Sequence, residues 1–373
     1  MEARWIPMAS PDLDESDERA LLEAMQSGRL ALGPEVDEFE RLTTEYVGAR
    51  HAIAVNSGTS GLHLLCKAVG LGPGDEVITT SFSFVASTNC FLYEGAKPVF
   101  VDIEPDTYNL DPALIEDAIT PATKAILAVD IFGHPADWDA IEEIADRHGL
   151  EIISDSCESM GAEYRGRKTG LSGVGGVYAF YPNKQITTGE GGMIVTNRDN
   201  VATLCRSMAN QGRGEMSAWL EHVRLGYNYR MDELSGALGA SQLRRIEEFI
   251  AKRRRVAETY DALLRDEPRV RTPVVRPDVK MSYFVYVVEL QGELSRDEVI
   301  RGLAARGVPS RGYFSPIHLQ PYIQKMIGYR EWTLPVTEEV ASKTVALPFY
   351  NALTAEDAEY VVSALVQVLQ QAV

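Results

Sequence analysis

The chain is poor in cysteine, short of positive charge and without long apolar runs. Its four cysteines, Cys66, Cys90, Cys157 and Cys205, stand far apart among 373 residues, with no Cys-x-x-Cys pair and no histidine at ligand spacing. That scatter excludes structural zinc and iron–sulfur chemistry from the expected functions, leaves no metal site to expect, and fits a reducing, cytoplasmic setting. Against 54 Asp and Glu there are only 36 Lys and Arg, a net charge of −18. A broad phosphate-tracking surface is thereby excluded, and nucleic acid with it as a partner. The one dense basic run, "KRRR" at 252–255, follows an apolar-periodic stretch and reads as a solvated helix face. No uninterrupted apolar stretch of about 18 residues occurs, so no membrane span is expected. "MEARWIPMAS" has no basic region followed by an apolar one, and so no secretory leader is expected there. Internal repeats and low-complexity linkers are also lacking.

What remains is the composition of a folded protein, 45% hydrophobic and 24% charged, long enough for a large α/β unit with an appended part. From about 52 to 196, short β-rich runs alternate with helix-length amphipathic segments. The runs are "AIAVN", "EVITT", "PVFVDI", "AILAVDI", "EIISD", "VYAFY" and "MIVT", a pattern that predicts a doubly wound α/β unit whose mostly parallel sheet is covered by helices. "DPALIEDAI" and "DWDAIEEIADRHG" each open on Asp, and the second closes on Gly149, as helix caps do. Two helices are expected upstream, in "PDLDESDERALLEAMQSG" and "PEVDEFERLTTEYVG". Over 231–265 an unbroken apolar periodicity predicts one long helix suited to bridging domains. Beyond 270, "YFVYVVEL", "SRDEVIRGLAARG" and "TAEDAEYVVSALVQVLQ" predict a smaller C-terminal α+β domain. The expected division is residues 1–240 for the large domain and 241–373 for the bridging helix and small domain.

Three places could carry chemistry. In "VNSGTSGLHLL" a strand ends at Asn56 and an apolar-periodic helix begins, so the N–H groups of Gly58, Thr59 and Ser60 would stand at a helix N-terminus, where a phosphate can sit; ordinary helix capping accounts for the same residues. Asp155 closes the buried run "EIIS", at the strand end where open α/β sheets place their ligand crevice. It could cap a helix, or hold a buried cation such as a protonated ring nitrogen. Lys184 lies in "AFYPNKQITTGEGGMIVT", between two β-like runs, with Glu190 the one acid nearby in sequence. A lysine is usually a surface residue, but in an apolar pocket it becomes an amine able to form a Schiff base. A phosphate turn, a sheet-end carboxylate and such a lysine are together what pyridoxal phosphate needs.

Along nearly its whole length the chain resembles the DegT/StrS sugar-nucleotide aminotransferases of the fold-type I pyridoxal-phosphate superfamily. The matching blocks are "SGRLALGPEVDEFE", "NSGTSGLHL", "GPGDEVITTSFSFVAS", "GAKPVFVDIEPDTYNLDP", "FYPNKQITTGEGG", "GYNYRMDELSGALG" and "PSRGYFSPIHLQP". The resemblance implies that Lys184 bonds the cofactor and moves a proton during catalysis, and that Asp155 keeps the pyridine nitrogen protonated. It implies that Phe84 lies against the ring, that Gly58, Thr59 and Ser60 hold the phosphate, and that Asn228 reaches in from a second subunit of a homodimer with shared active sites. Three positions depart from the family's pattern. Glu158, expected near the cofactor's ring hydroxyl, stands where Gln or His is usual; Ala179 replaces a phosphate-binding Ser; and His134 stands where Gln is common. Related dehydratases carry histidine in place of the lysine, so Lys184 disfavours that branch.

The implied reaction is transfer of the amino group of glutamate onto a nucleotide-linked keto-sugar, a 4-keto-6-deoxyhexose aminated at C4, with ping-pong kinetics. Tyr313 and His318 are the expected substrate contacts, and Arg213, Arg224, Arg230 and Arg311 are candidates for binding the anionic nucleotide. A keto-inositol aminotransferase and a non-catalytic cofactor-binding regulator are the alternative readings on the same scaffold.

Overall fold

The computed structural model describes residues 4–214, 221–328, 330, 331 and 333–371. Each of the seven apolar runs forms a strand of one sheet. These are β1 (His51–Val55), β2 (Glu76–Thr80), β3 (Lys97–Val101), β4 (Thr123–Val129) and β5 (Glu151–Asp155), then, after a short hairpin of β6 (Glu163–Tyr164) and β7 (Arg167–Lys168), β8 (Gly175–Ala179) and β9 (Gly192–Thr196). Their order is β1-β9-β8-β5-β4-β2-β3. Only β9 runs against its neighbours; the pairs β8–β5, β5–β4, β4–β2 and β2–β3 are parallel. The strands read as continuous apolar runs because both faces are covered. Along β4, Ala125, Leu127 and Val129 join one core with Leu62 and Leu65, while Ile126 and Ala128 face the other way, toward Trp138, Ile141 and Ile144.

The covering helices are α1 (Glu15–Gln26), α2 (Pro34–Val47), α3 (Gly58–Ala68), α4 (Ala86–Leu92), α5 (Trp138–His148) and α6 (Asp199–Ala209). The segment expected as a helix over "DPALIEDAI" is two single 3-10 turns, Pro112–Leu114 and Glu116–Ala118. Leu110 and Ile115 both enter the core, which pins the segment along its length and leaves room only for isolated turns.

The apolar stretch over 231–265 is two helices, α7 (Glu233–Leu243) and α8 (Ile246–Leu264). The break falls at Arg245, which leaves helical geometry at φ −108°, ψ 8°. A tertiary pairing accounts for it: the Arg245 guanidinium is drawn to Asp14 and to the buried Asp17. α8 then spans two cores. Ile246, Phe249 and Ile250 pack with Phe180 and Met193 beside the large sheet, whereas Val256, Ala257, Tyr260 and Leu264 belong to the cluster that continues into the C-terminal part. There β10 (Val270–Arg271), β12 (Tyr286–Leu290) and β13 (Thr344–Leu347) form a three-stranded antiparallel sheet, while β11 (Val279–Lys280) pairs with β6. The helices α9 (Arg296–Ala304), α10 (Pro321–Ile327), α11 (Pro335–Lys343) and α12 (Ala355–Gln371) complete this part. Among the described residues no helix is long and apolar enough to cross a membrane.

α7 approaches α2 through a missing side chain. A Cβ on Gly239 would lie 2.5 Å from Cε1 of Phe39, and that fully buried ring cannot retreat because Phe180 packs 5.1 Å behind it. Gly239→Ala is therefore expected to lower stability by about 1–3 kcal/mol, as overpacking does. Chemical denaturation of the two proteins checks this, and an unchanged midpoint would contradict the packing argument.

Candidate active site

The parallel strands β5 and β8 end side by side, and this shared edge brings the chemistry together. Beyond β8 the chain loops out over 180–191 and returns as β9, with the Phe180 N–H donating to Gly191 O at 3.0 Å. Lys184 stands in that loop, its N–H donating to Tyr181 O at 2.9 Å. Its Nζ lies 3.5 Å from Glu158 Oε1 and 3.6 Å from the centre of the Phe284 ring. The partner of the lysine is therefore Glu158; Glu190 is exposed at the rim of the same cavity. Glu158 is fixed in turn, since its Oε2 accepts the Phe132 N–H at 2.9 Å, and Gln185 Nε2 donates to its carbonyl at 2.6 Å and to Ser282 Oγ at 3.0 Å. Burial pushes the Glu158 carboxyl above the ordinary range, opposed by the charge of Lys184 and the Phe132 N–H.

At the end of β5, Asp155 is buried and accepts from Ser87 Oγ at 2.7 Å and from the Cys157 N–H at 3.2 Å. Ser87 exchanges a 2.8 Å hydrogen bond with Ser83. The start of α3 forms the third side. Ser57 caps it by accepting the Ser60 N–H at 3.1 Å, and its carbonyl takes the Gly61 N–H. The N–H groups of Gly58 and Thr59 are left without a partner among the described residues, at the positive end of the helix dipole. These elements wall a cavity of ≈ 530 Å³ lined by Gly58, Thr59, Phe84, Asp155, Glu158 and Lys184, with Arg311 and Tyr313 across from them. Phe84 is 62% exposed, an apolar ring presented to the cavity rather than packed away.

This donor set fits pyridoxal phosphate. Asp155 meets only donors, so it can accept one more from a protonated ring nitrogen. Lys184 supplies the amine, and the two unpaired N–H groups of α3 suit a phosphate. The cradle also depends on glycine, because a Cβ on Gly58 would meet Ala179 Cβ at 2.8 Å and Cys157 Sγ at 2.9 Å. Ala179, at the end of β8, offers no hydroxyl to that corner.

Not every expected residue is there. Ser60 lies off the cavity: its N–H belongs to the Ser57 cap and its hydroxyl bonds Asn56 Oδ1 at 2.7 Å. His318 is fully buried, its Nδ1 on Ser81 Oγ at 2.6 Å and its Nε2 on Glu338 Oε1 at 3.2 Å; it fastens the 313–320 loop to the end of β2 and cannot touch substrate. Tyr313 and Arg311 do line the cavity, but Arg213, Arg224 and Arg230 do not. Asn228 is exposed and outside this cavity, its carbonyl accepting from Asn56 Nδ2 at 3.4 Å. His134 is a buried structural ring. Burial depresses it to about 4, and it binds Pro135 O and the Arg276 N–H.

Two residues escaped the reading of the sequence. Asp130 ends β4 just as Asp155 ends β5, and strand-end position alone cannot separate them. The structure does, because Asp130 is saturated by Ser156 Oγ at 2.7 Å, Ser159 Oγ at 2.8 Å, and the Ala136 N–H and Trp138 Nε1 at 3.0 Å each. It ties the loop after β4 to the one carrying Glu158. Arg253, within the basic run expected on a solvated face, is instead buried on α8 and donates to Lys184 O at 2.8 Å; nothing in its immediate sequence marks it.

Comparison with known proteins agrees with the fit to pyridoxal phosphate. A match to the DegT/DnrJ/EryC1/StrS aminotransferase family extends over residues 11–366. The chain is 42% identical to a GDP-perosamine synthase of Caulobacter vibrioides, over 98% of each chain. It is 37% identical to a UDP-2-acetamido-2-deoxy-3-oxo-D-glucuronate aminotransferase of Pseudomonas aeruginosa, covering 91% of this chain and 92% of that one. Among solved structures, DesV of S. venezuelae in complex with a ketimine intermediate superposes with a TM-score of 0.91 at 34% identity, covering 97% of this chain and 98% of that one.

Asp130 gives the site a pH signature. Burial raises it from 3.8 to about 6, so on raising the pH the unfolded chain loses this proton first. Its contribution to stability is whole below about 3.8 and lost above about 6. Relative to Asp130→Asn, the wild type should lose stability as pH rises through that window, measured by denaturant midpoints; a wild type that gains on the variant with rising pH would contradict the assignment.

Proposed function

The chain belongs to the DegT/DnrJ/EryC1/StrS aminotransferase family, pyridoxal-phosphate-dependent sugar transaminases, and from that premise we propose that it moves the amino group of glutamate onto C4 of a nucleotide-linked 4-keto-6-deoxyhexose. The observation that carries the reading is the single cavity of ≈ 530 Å³ that joins Lys184, Asp155 and the start of α3. When bound, pyridoxal phosphate supplies an aldehyde that exchanges amines and a ring that takes up the electron pair of a carbon losing its proton. Lys184 Nζ is both the amine that bonds the cofactor and the base that carries the proton. Glu158, 3.5 Å away and with its carboxyl pushed up by burial, can hold the proton that Nζ gives up. Asp155 would accept from the ring nitrogen, Gly58 and Thr59 would hold the phosphate, and Phe84 would lie against the ring.

Across the cavity Arg311 offers the guanidinium a glutamate carboxylate requires. The apolar wall of Phe84, Phe284 and Phe314 suits a sugar carrying a methyl group where others carry a hydroxymethyl. Nucleotide-linked sugars stand in the names of both relatives, which supports a nucleotide-linked acceptor here. A second copy of the chain completes the site in this reading. Asn228 is exposed on a segment that also exposes Val223 and Leu225, apolar side chains that a homodimer would cover while Asn228 reached the partner's phosphate.

Glutamate added to the yellow, cofactor-loaded protein should abolish its visible absorbance and release one equivalent of 2-oxoglutarate. A nucleotide-linked 4-keto-6-deoxyhexose should then restore the colour and gain an amine, read by product mass. Lys184→Ala should lack this band before glutamate is added and release no 2-oxoglutarate after it. Restoration by a keto-inositol and not by any nucleotide sugar would refute the proposed acceptor, and a band indifferent to glutamate would point to a regulator.

Ala179→Ser restores a hydroxyl to the phosphate corner. One added hydrogen bond of about 1 kcal/mol should slow cofactor loss on dialysis about fivefold; no change would move the phosphate away from Ala179.

A further inference from the structure

We propose that Arg253 is the positioning residue for Lys184, a buried cation kept at the junction of the two cores to hold the reactive lysine and the ring beneath it in register. Arg253 is 3% exposed, and burial lowers its pKa to about 10, so it keeps its charge at neutral pH. Its four hydrogen-bond partners are all backbone carbonyls. Nη1 donates to Tyr283 O at 3.1 Å and to Phe284 O at 3.2 Å; Nη2 donates to Lys184 O at 2.8 Å and to Asn183 O at 3.4 Å. Among the described residues no carboxylate contacts it, and a buried charge without an anion is costly to stability. Helix packing alone would be served by leucine or methionine, so the cation at this place calls for another reason.

The reason lies in what the two arms grip. One arm holds the loop that bears Lys184, and the other holds the segment that bears Phe284, whose ring centre is 3.6 Å from Lys184 Nζ. The connection closes on itself. From Arg253 it passes to Phe284, whose N–H donates to Phe132 O at 2.9 Å; then to the Phe132 N–H, which donates to Glu158 Oε2 at 2.9 Å; and finally from Glu158 Oε1 to Lys184 Nζ at 3.5 Å. Backbone and side-chain ends of one lysine are thereby fixed by a single circuit. Only a planar fork can serve both segments at once, which a lysine ammonium at 253 could not. α8 is the suitable carrier, since its first half packs beside the large sheet and its second half in the core shared with the C-terminal part.

This inference rests on Lys184 being the residue that bonds the cofactor and is independent of which sugar is aminated. The test uses the full chain stripped of cofactor with hydroxylamine. Pyridoxal phosphate is titrated by visible absorbance, with borohydride trapping and peptide mass to locate the bond. Pyridoxamine phosphate, which forms no bond to Lys184, is titrated in parallel by fluorescence. In Arg253→Met the affinity for pyridoxal phosphate should fall about tenfold or more, the effect of one lost charge-assisted hydrogen bond, while that for pyridoxamine phosphate stays within about twofold. Arg253→Lys should fall between. Equal losses for both cofactors would make Arg253 merely structural and overturn the proposal, as would no loss for either. If the methionine variant yields no folded protein, the same two titrations on Arg253→Lys decide by the same criterion. Failure of the wild type to trap pyridoxal phosphate on Lys184 would overturn the assignment of the lysine itself, a result distinct from any difference between variants.

Discussion

A reactive amine cannot be held by strong bonds to itself, because whatever grips it also competes with its substrate. The approach of Lys184 Nζ to Glu158 at 3.5 Å meets that constraint with one partner, near enough to exchange a proton and too long for a strong bond. Most of the surrounding architecture serves this pairing. The acid is held by the Phe132 N–H and by Gln185, and the loop is held by its backbone. Asp130, saturated by four donors, ties together the two loops that deliver Phe132 and Glu158. Rigidity is built into the neighbours so that the amine itself stays available.

The sheet edge also shows how two similar aspartates come to different tasks. Asp130 and Asp155 end adjacent parallel strands, both buried. Asp130 has its capacity filled by the protein and acts as a knot. Asp155 has two donors on its oxygens and borders the cavity, which leaves it room for another. The assignment depends on unfilled capacity rather than on residue type or strand position.

The seven strands were legible because parallel strands buried on both faces appear as unbroken apolar runs, and the helices flanking them carry caps. That Lys184, Asp155, Gly58 and Thr59 stand together was legible because their order along the chain matches one cofactor's needs, and all four line one cavity. The rest depended on tertiary partners that leave no local trace. The break between α7 and α8 at Arg245 follows from Asp14 and Asp17, more than two hundred residues upstream in the order of the chain. The apolar periodicity runs through the break. His318 was expected to touch substrate from its place in "PSRGYFSPIHLQP"; Ser81 and Glu338 occupy both its nitrogens inside the protein. Ser60 shared the small-residue turn with Gly58 and Thr59, but the cap at Ser57 claims its N–H. Arg253 carries the same letters as its neighbours Arg254 and Arg255, and only the face of α8 that each takes, buried for Arg253 and exposed for Arg255, tells them apart.

The antiparallel course of β9 has a bearing on how this chain can vary. Elsewhere in the sheet successive parallel strands are joined by crossovers, whose length can change without disturbing the ladder. The lysine loop is different: it joins β8 to β9 as a hairpin, with Ala179 paired to Gly192 and Phe180 bonded to Gly191 at its mouth. One inserted residue between them would either slide that register, turning every side chain of β9 to the opposite face, or lift Lys184 away from Glu158. The length of the loop is therefore coupled to the register of β9 and to the distance between Lys184 and Glu158.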